Sequence, residues 1–160
     1  MQRQFSWKYI LSCLYAALLL TLFFVWPLRN MGLPHWQLLT EYRNLKPLHT
    51  IRRLIAMLGS GRPALSKYAL VNLIGSFLLY LPLGALLPWL FRGMRRIYIT
   101  LPVCIILVTA VELAQLLTMR GWPDVDDLLL NTAGAAAGYL IWRIAHTVGK
   151  RKTAGQTAKR

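Results

Sequence analysis

Residues 112–127 read Glu-Leu-Ala-Gln-Leu-Leu-Thr-Met-Arg-Gly-Trp-Pro-Asp-Val-Asp-Asp, and this segment joins two long apolar stretches of the chain. It contains four of the five acidic residues in a sequence of 160. Carboxylates at membrane depth are costly, so they are usually buried against partners or water and tied to function. The segment therefore indicates where the protein acts, and it leaves the chemistry open.

The apolar stretches around this segment have the length of membrane spans. The chain is 56% hydrophobic, and about twenty apolar residues are enough to cross the hydrocarbon core. We predict an all-α, polytopic membrane bundle of about four transmembrane helices, at about 9–28, 69–91, 97–118 and 127–148. The second span contains Pro82 and Pro88 and is expected to be kinked or broken.

A linker of about forty residues separates the first two spans. Within it, apolar residues recur at helical spacing opposite two arginines, which predicts a short amphipathic helix near 48–58. This helix either lies on the membrane surface or packs on the spans, and the sequence leaves both open. We divide the chain into a first span with the start of a loop (1–43), a membrane domain (44–148) and a basic, disordered cytoplasmic tail (149–160).

The formal net charge of +14 would suit a nucleic-acid binder. The blocks of apolar residues argue against nucleic acid, and they make membrane lipids the expected partners. The short connection after the second span carries Arg92, Arg95 and Arg96, whereas the connection before the fourth span is acidic. Positive loops stay inside, so we predict a multi-pass protein of the cell membrane with both termini cytoplasmic.

The polar residues of the spans form a candidate functional cluster near the outer leaflet. Residues three or four apart share a helix face, and the polar faces of the last three spans are expected to meet. The cluster comprises Asn72, Glu112, Gln115, Arg120, Asp124, Asp126, Asp127 and Asn131. Because burial disfavours the charged form of a carboxyl group, Glu112 is a candidate proton carrier or general acid/base. No catalytic residue is assigned.

The three aspartates allow two interpretations. Asp124, Asp126 and Asp127 are candidates for jointly holding a hard divalent cation through oxygen ligands, although Arg120 competes for their charge. Alternatively, Asp126 or Asp127 caps the N-terminus of the fourth span.

Gly134 and Gly138 form a GxxxG motif inside a run of small residues. Such a motif lets two helices approach closely. Packing inside the fold is favoured over dimerisation, and the sequence does not fix the oligomeric state.

Taken in order, these motifs resemble the VanZ-like family. The resemblance covers about residues 44–142, where the motifs run Asn44-Leu-Lys-Pro-Leu48, Asn72-x-x-Gly75, Leu81-Pro-Leu-Gly84, Glu112-x-x-Gln115, Asp124-x-Asp-Asp127 and Asn131-x-x-Gly134-x-x-x-Gly138. Leu48 stands where this family usually has Phe.

The resemblance implies a small bacterial membrane protein with four or five helices. The namesake of the family confers low-level resistance to the glycopeptide teicoplanin without making an altered peptidoglycan precursor. The leading hypothesis is therefore a protein that binds or remodels an outer-leaflet component, such as a lipid-linked cell-wall precursor. The alternatives are an intramembrane enzyme that acts on a lipid-linked or phosphate-bearing substrate, and a small proton-coupled transporter or flippase.

Overall fold

The computed structural model describes residues 7–25, 44–118 and 124–157. These residues form five α-helices. They are α1 (Trp7–Leu20), α2 (His49–Leu58), α3 (Pro63–Leu90), α4 (Ile97–Leu117) and α5 (Val125–Thr157). A π-helical turn, Thr21–Val25, follows α1, and a 3-10 turn, Arg92–Arg95, joins α3 to α4. The only β pairing in the described part of the chain is an isolated bridge between Asn44 and Asp124. The all-α prediction is confirmed.

Two of the helices, α3 and α4, are long and apolar enough to cross a membrane, while α1 is apolar but shorter. The predicted third span, 97–118, coincides with α4. Four spans remain a prediction. Within the described residues, α5 is not among the helices that are long and apolar enough to cross a membrane.

The sequence predicts that the second span is kinked or broken, and of these two outcomes α3 excludes the break. Helix α3 begins at Pro63 and continues without interruption through Pro82 and Pro88. Proline at the first helical position costs no hydrogen bond, since that N–H has no partner in a helix. Gly61, with φ of 68°, supplies the left-handed turn that separates α2 from α3.

Helix α5 also runs further than expected. It continues through Thr157, so the disordered tail predicted after Val148 is wrong for 149–157. Five of the nine residues in 149–157 are good helix formers (Lys, Arg, Ala and Gln), while two glycines and two threonines are poor ones. The segment extends a helix that the preceding apolar residues have already nucleated.

The amphipathic stretch forms α2, as the spacing predicts, and it packs against α3. Leu54 is 5% exposed, whereas Ile55 and Leu58 remain 56% and 38% exposed. One edge of α2 therefore packs into the bundle and the other edge stays open. The structure therefore favours the interpretation that α2 packs on the spans. The open edge of α2 is apolar and remains available to contact lipid.

The two ends of the bundle differ in charge. One end of the bundle brings together the start of α1, the α3–α4 turn and the second half of α5, whose residues line shared cavities. We call this the basic end. Helix α2 meets the start of α5 at the opposite end, which contains the aspartates; we call this the acidic end. Arg96 directly precedes α4 and Glu112 lies in its last two turns, about 24 Å further along the helix axis.

Helices α3 and α5 make the closest contact in the bundle. Ideal Cβ atoms built on Gly84, Gly134 and Gly138 would lie 1.7, 2.0 and 1.9 Å from backbone carbonyl oxygens of the facing helix. Gly134 and Gly138 therefore face α3 within the same chain. A small apolar core of Leu87, Cys104 and Ala135 lies beside this contact.

Candidate functional site at the acidic end

Asp126 caps a helix other than its own. Its side chain is fully buried, and its carboxylate accepts hydrogen bonds from the backbone N–H groups of Leu48 (2.5 Å), Thr50 (2.6 Å) and Ile51 (3.1 Å). These are the donors that a helix N-terminus leaves without partners, and the positive end of the α2 dipole favours the carboxylate charge. Asp126 thus docks α2 onto the start of α5.

The docking of α2 places Leu48 in an unfavourable backbone conformation. Leu48 precedes α2 with φ of 65° and ψ of 6°, a left-handed conformation that is unfavourable for a residue with a branched side chain. Such strain costs on the order of 1–3 kcal/mol and persists only where surrounding contacts enforce it. The three N–H groups bound by Asp126 are those contacts.

Asp124 completes a docking network that consists of Asn44, Thr50, Asp124 and Asp126. Asp124 accepts from the Asn44 amide (2.9 Å) and from the Thr50 hydroxyl (2.6 Å). The Asn44 carbonyl in turn accepts from the backbone N–H of Val125 (3.1 Å). The segment before α2 is therefore tied to the start of α5 by side-chain and backbone bonds together.

Asp124 also corrects the capping interpretation. It precedes α5, and its carboxylate accepts the backbone N–H of Asp126 at 2.8 Å, which is the geometry of a helix cap. The residue that caps α5 is thus Asp124. The sequence proposed Asp126 or Asp127 for that role. Both lie in the first turn of α5, and Asp126 turns its oxygens toward α2.

Glu112 and Asn131 form a direct pair between α4 and α5. The Asn131 amide donates to Glu112 Oε1 at 3.0 Å, and Asn131 is 4% exposed. Asp124 and Asp127 are both within electrostatic range of Glu112. The neutral Asn131 amide therefore donates to a carboxylate, Glu112, that has two further carboxylates nearby.

Tyr80 on α3 joins this group from the third side. Its ring stacks on Phe23, with centroids 6.2 Å apart, and its hydroxyl lies within electrostatic range of Glu112 and Asp127. Tyr80 is 1% exposed, yet its hydroxyl makes no hydrogen bond with the described residues, and neither does Asn131 Oδ1. Tyr80, Glu112, Asp127 and Asn131 make up what we call the buried cluster.

Buried polar groups are nearly always hydrogen-bonded, and an unpaired one costs about 1–3 kcal/mol. Tyr80 Oη and Asn131 Oδ1 are two such oxygens, and each lies near the Glu112 carboxylate. A cavity of about 230 Å³ between α4 and the start of α5 is lined by two carboxylates, Glu112 and Asp124. Its lining is apolar apart from three residues, Thr109, Glu112 and Asp124.

The remaining residues of the predicted polar cluster do not all lie near Glu112. Gln115 is buried on the same helix as Glu112. Asn72 instead donates back to the Tyr68 carbonyl of its own helix, at 2.7 Å, and open space surrounds the Cα of Gly75. The sequence predicted that Asn72 is the polar residue of α3 that faces the cluster. In the structure, the residue of α3 in that position is Tyr80. Arg120 lies outside the described residues.

The aspartates do not present a shared set of free oxygens. Asp124 and Asp126 already accept hydrogen bonds from the docking network, and among the described residues no three His, Cys, Asp or Glu side chains are grouped to hold a metal ion. The donor arrangement therefore does not favour the divalent-cation interpretation.

Sequence reasoning missed Asn44 and Thr50 as site residues, together with Tyr80. Asn44 opens the motif that precedes α2, and that position was its only signal. Thr50 and Tyr80 carry none, because a tyrosine in an apolar run looks like any interfacial aromatic residue.

The described residues form an all-helical protein with two helices long and apolar enough to cross a membrane. At one end it has a buried acidic cluster and an amphipathic helix docked on Asp126. The sequence model of the VanZ/LLP1 family matches residues 9–146. The chain belongs to this family. Comparison with curated proteins and with solved structures gives no match.

Proposed function

We propose that this chain acts in the bacterial envelope membrane by holding a polar group of an outer-leaflet amphiphile in its buried cluster, and that it thereby lowers susceptibility to teicoplanin-type lipoglycopeptides. The observation that carries this proposal is the pair of buried, unpaired oxygens, Tyr80 Oη and Asn131 Oδ1, beside the Glu112 carboxylate. Membership of the VanZ/LLP1 family supports the envelope role.

The charge of the site selects the chemistry of its ligand. Glu112, Asp124 and Asp127 are mutually repelling carboxylates, and a phosphate would add to that repulsion. A hydroxyl, amine or amide N–H would instead satisfy the acceptors that the cluster offers. The proposed ligand is therefore a donor-rich head group, such as the sugar or peptide part of a lipid-linked wall precursor.

The docked α2 supports access from the membrane side. Its open apolar edge (Ile55 and Leu58) lies at the acidic end, where the small cavity of mainly apolar lining leads to Glu112. An amphiphile could keep its hydrocarbon part against these surfaces while its polar part reaches the cluster. The experiment below tests whether the cluster has this role.

The decisive experiment compares teicoplanin and vancomycin susceptibility in a sensitive Gram-positive host at matched membrane levels of each variant. Wild type is expected to protect selectively against teicoplanin, and Glu112→Gln, Asp127→Asn and Tyr80→Phe are expected to lose that protection. Asn72→Ala is the matched control, because Asn72 bonds its own helix and should protect like wild type.

Two results would contradict the proposal. Full protection by Glu112→Gln and Tyr80→Phe would make the cluster structural. No protection by well-expressed wild type would separate this chain from the resistance phenotype of its family's namesake.

A further inference from the structure

The basic end of the bundle carries a second site that the proposed function does not use. A pocket of about 690 Å³ there is lined by residues of the α3–α4 turn, α4 and α5. Its cationic side chains are Arg95, Arg96, Arg143 and Lys150. Neither 92–100 nor 142–150 contains an acidic residue, so these segments offer the cations no local carboxylate.

The frame of this pocket is fixed by buried hydrogen bonds. The Tyr139 hydroxyl donates to the Arg95 carbonyl at 2.9 Å, and the Thr100 hydroxyl bonds the carbonyls of Met94 and Arg96. Tyr139 and Thr100 are 2% and 1% exposed. The backbone that carries the two arginines is therefore held in place, which reduces the entropy lost when their exposed side chains bind an anion.

An apolar groove begins where the basic pocket ends. It has a volume of about 660 Å³ and runs between α1, α3 and α5. Trp142 lines both the groove and the pocket, and His146 stacks on Trp142 with ring centroids 5.0 Å apart. A cationic pocket and an apolar groove thus share one aromatic wall.

We infer that this combined surface binds an anionic phospholipid, with the phosphate among Arg95, Arg96, Arg143 and Lys150 and one acyl chain in the groove. Guanidinium groups suit phosphate because they present several donors in one plane. The groove requires a hydrocarbon chain, which a free phosphate lacks. The surface therefore fits a lipid of the leaflet at the basic end, which the positive-inside rule makes the cytoplasmic leaflet.

The test titrates the full-length protein, in detergent, with phosphatidylglycerol and with phosphatidylcholine of the same acyl chains, and counts bound lipid by native mass spectrometry. Wild type is expected to prefer phosphatidylglycerol by roughly tenfold or more, in keeping with about one kcal/mol per basic residue near an anionic head group. Arg95→Gln/Arg143→Gln should lose this preference, and Arg95→Lys/Arg143→Lys should keep most of it.

Two further variants separate site binding from bulk charge. Arg52→Gln/Arg53→Gln removes the same charge from the exposed face of α2 and should leave the preference unchanged. Ala145→Trp, which fills the groove at an exposed position, should weaken binding of both lipids, whereas Ala56→Trp on α2 should not.

Three results would overturn the inference. The first is an equal loss of preference in the α2 arginine variant, which would show unspecific charge attraction. The second is competition by soluble glycerol phosphate as strong as that by phosphatidylglycerol, which would show a head-group site without a lipid chain. The third is unchanged lipid binding by Ala145→Trp. Because all substituted side chains are exposed, thermal unfolding should confirm that each variant folds.

Discussion

At the scale of single residues, two buried tyrosines differ in whether the hydroxyl group has a hydrogen-bond partner. Tyr139 donates its hydroxyl proton to the Arg95 carbonyl, whereas the Tyr80 hydroxyl has no partner among the described residues. The two side chains are 2% and 1% exposed. They are therefore a matched pair for asking what an unsatisfied hydroxyl costs.

We expect Tyr80→Phe and Tyr139→Phe to change stability in opposite directions. Removing the unpaired Tyr80 hydroxyl should stabilise the protein or leave it unchanged, since the desolvation cost of about 1–3 kcal/mol disappears. Tyr139→Phe should destabilise it by about 1 kcal/mol, because a hydrogen bond is lost and the Arg95 carbonyl loses a partner. Thermal unfolding in one detergent measures both. Destabilisation of similar size in the two variants would show that Tyr80 also has a structural partner.

At the scale of elements, α2 depends on one carboxylate from another helix. We expect Asp126→Asn to lower the stability of the docked α2 by about 2–3 kcal/mol, because an amide donor would replace one of the oxygens that face the N–H groups of Leu48, Thr50 and Ile51. Hydrogen exchange of the amides in 49–58 should accelerate.

The control for this prediction is Asp127→Asn, which removes the same charge one residue away. Asp127 is not a capping partner of α2 in the structure, so exchange in 49–58 should remain as in wild type. Equal acceleration in both variants would mean that overall charge, and not the cap, holds α2 in place.

The α3–α5 contact depends on the absence of three Cβ atoms. Gly138→Ala would place its Cβ 1.9 Å from the Leu81 carbonyl oxygen, and the backbone can only yield by moving the two helices apart. We expect it to lower the free energy of unfolding by about 1–3 kcal/mol, as overpacking typically does. Gly134→Ala should behave likewise.

Gly75→Ala is the control on α3, because nothing lies within 4 Å of its Cβ position. It should be neutral or stabilising by about 0.5–1 kcal/mol, since alanine loses less backbone entropy in a helix. Denaturation followed by circular dichroism in detergent measures these variants. A neutral Gly138→Ala would show that α3 and α5 are further apart than the structure places them.

Apolar length and spacing were sufficient to predict α2 and α4, because both signals are local. The uninterrupted α3 was not predicted, since whether proline breaks a helix depends on what the neighbouring helices supply. The same limit applies to the site. The acidic segment pointed to Glu112, and helical spacing from Asp127 pointed to Asn131. In contrast, the cap that Asp126 provides for α2, through Thr50, 76 residues earlier in the chain, is a tertiary contact. No local rule assigns that partner.

At the scale of the whole molecule, the carboxylates of the described residues gather at one end of the bundle, whereas arginines occur at both ends. The described carboxylates lie at the acidic end, while Arg92, Arg95 and Arg96 lie in the turn at the basic end. Basic residues in a short connection between two spans favour the cytoplasmic side. Both proposals depend on the resulting orientation, because one assigns the acidic end to the outer leaflet and the other assigns the basic end to the inner one.

Orientation can be measured with single cysteines in a background where Cys13 and Cys104 are replaced by serine and alanine. A membrane-impermeant thiol reagent applied to intact cells should label Ser60→Cys, in the α2–α3 connection, and should not label Gly93→Cys, in the α3–α4 turn. Replacing Arg92, Arg95 and Arg96 by glutamine should make Gly93→Cys reactive in part of the population, because the retention signal is gone. Replacing Arg52, Arg53 and Arg62 removes equal charge from the opposite end and should leave Gly93→Cys protected. Outside labelling of Gly93→Cys in the otherwise unaltered chain would invert the orientation, and with it the leaflet assigned to the buried cluster and to the lipid site.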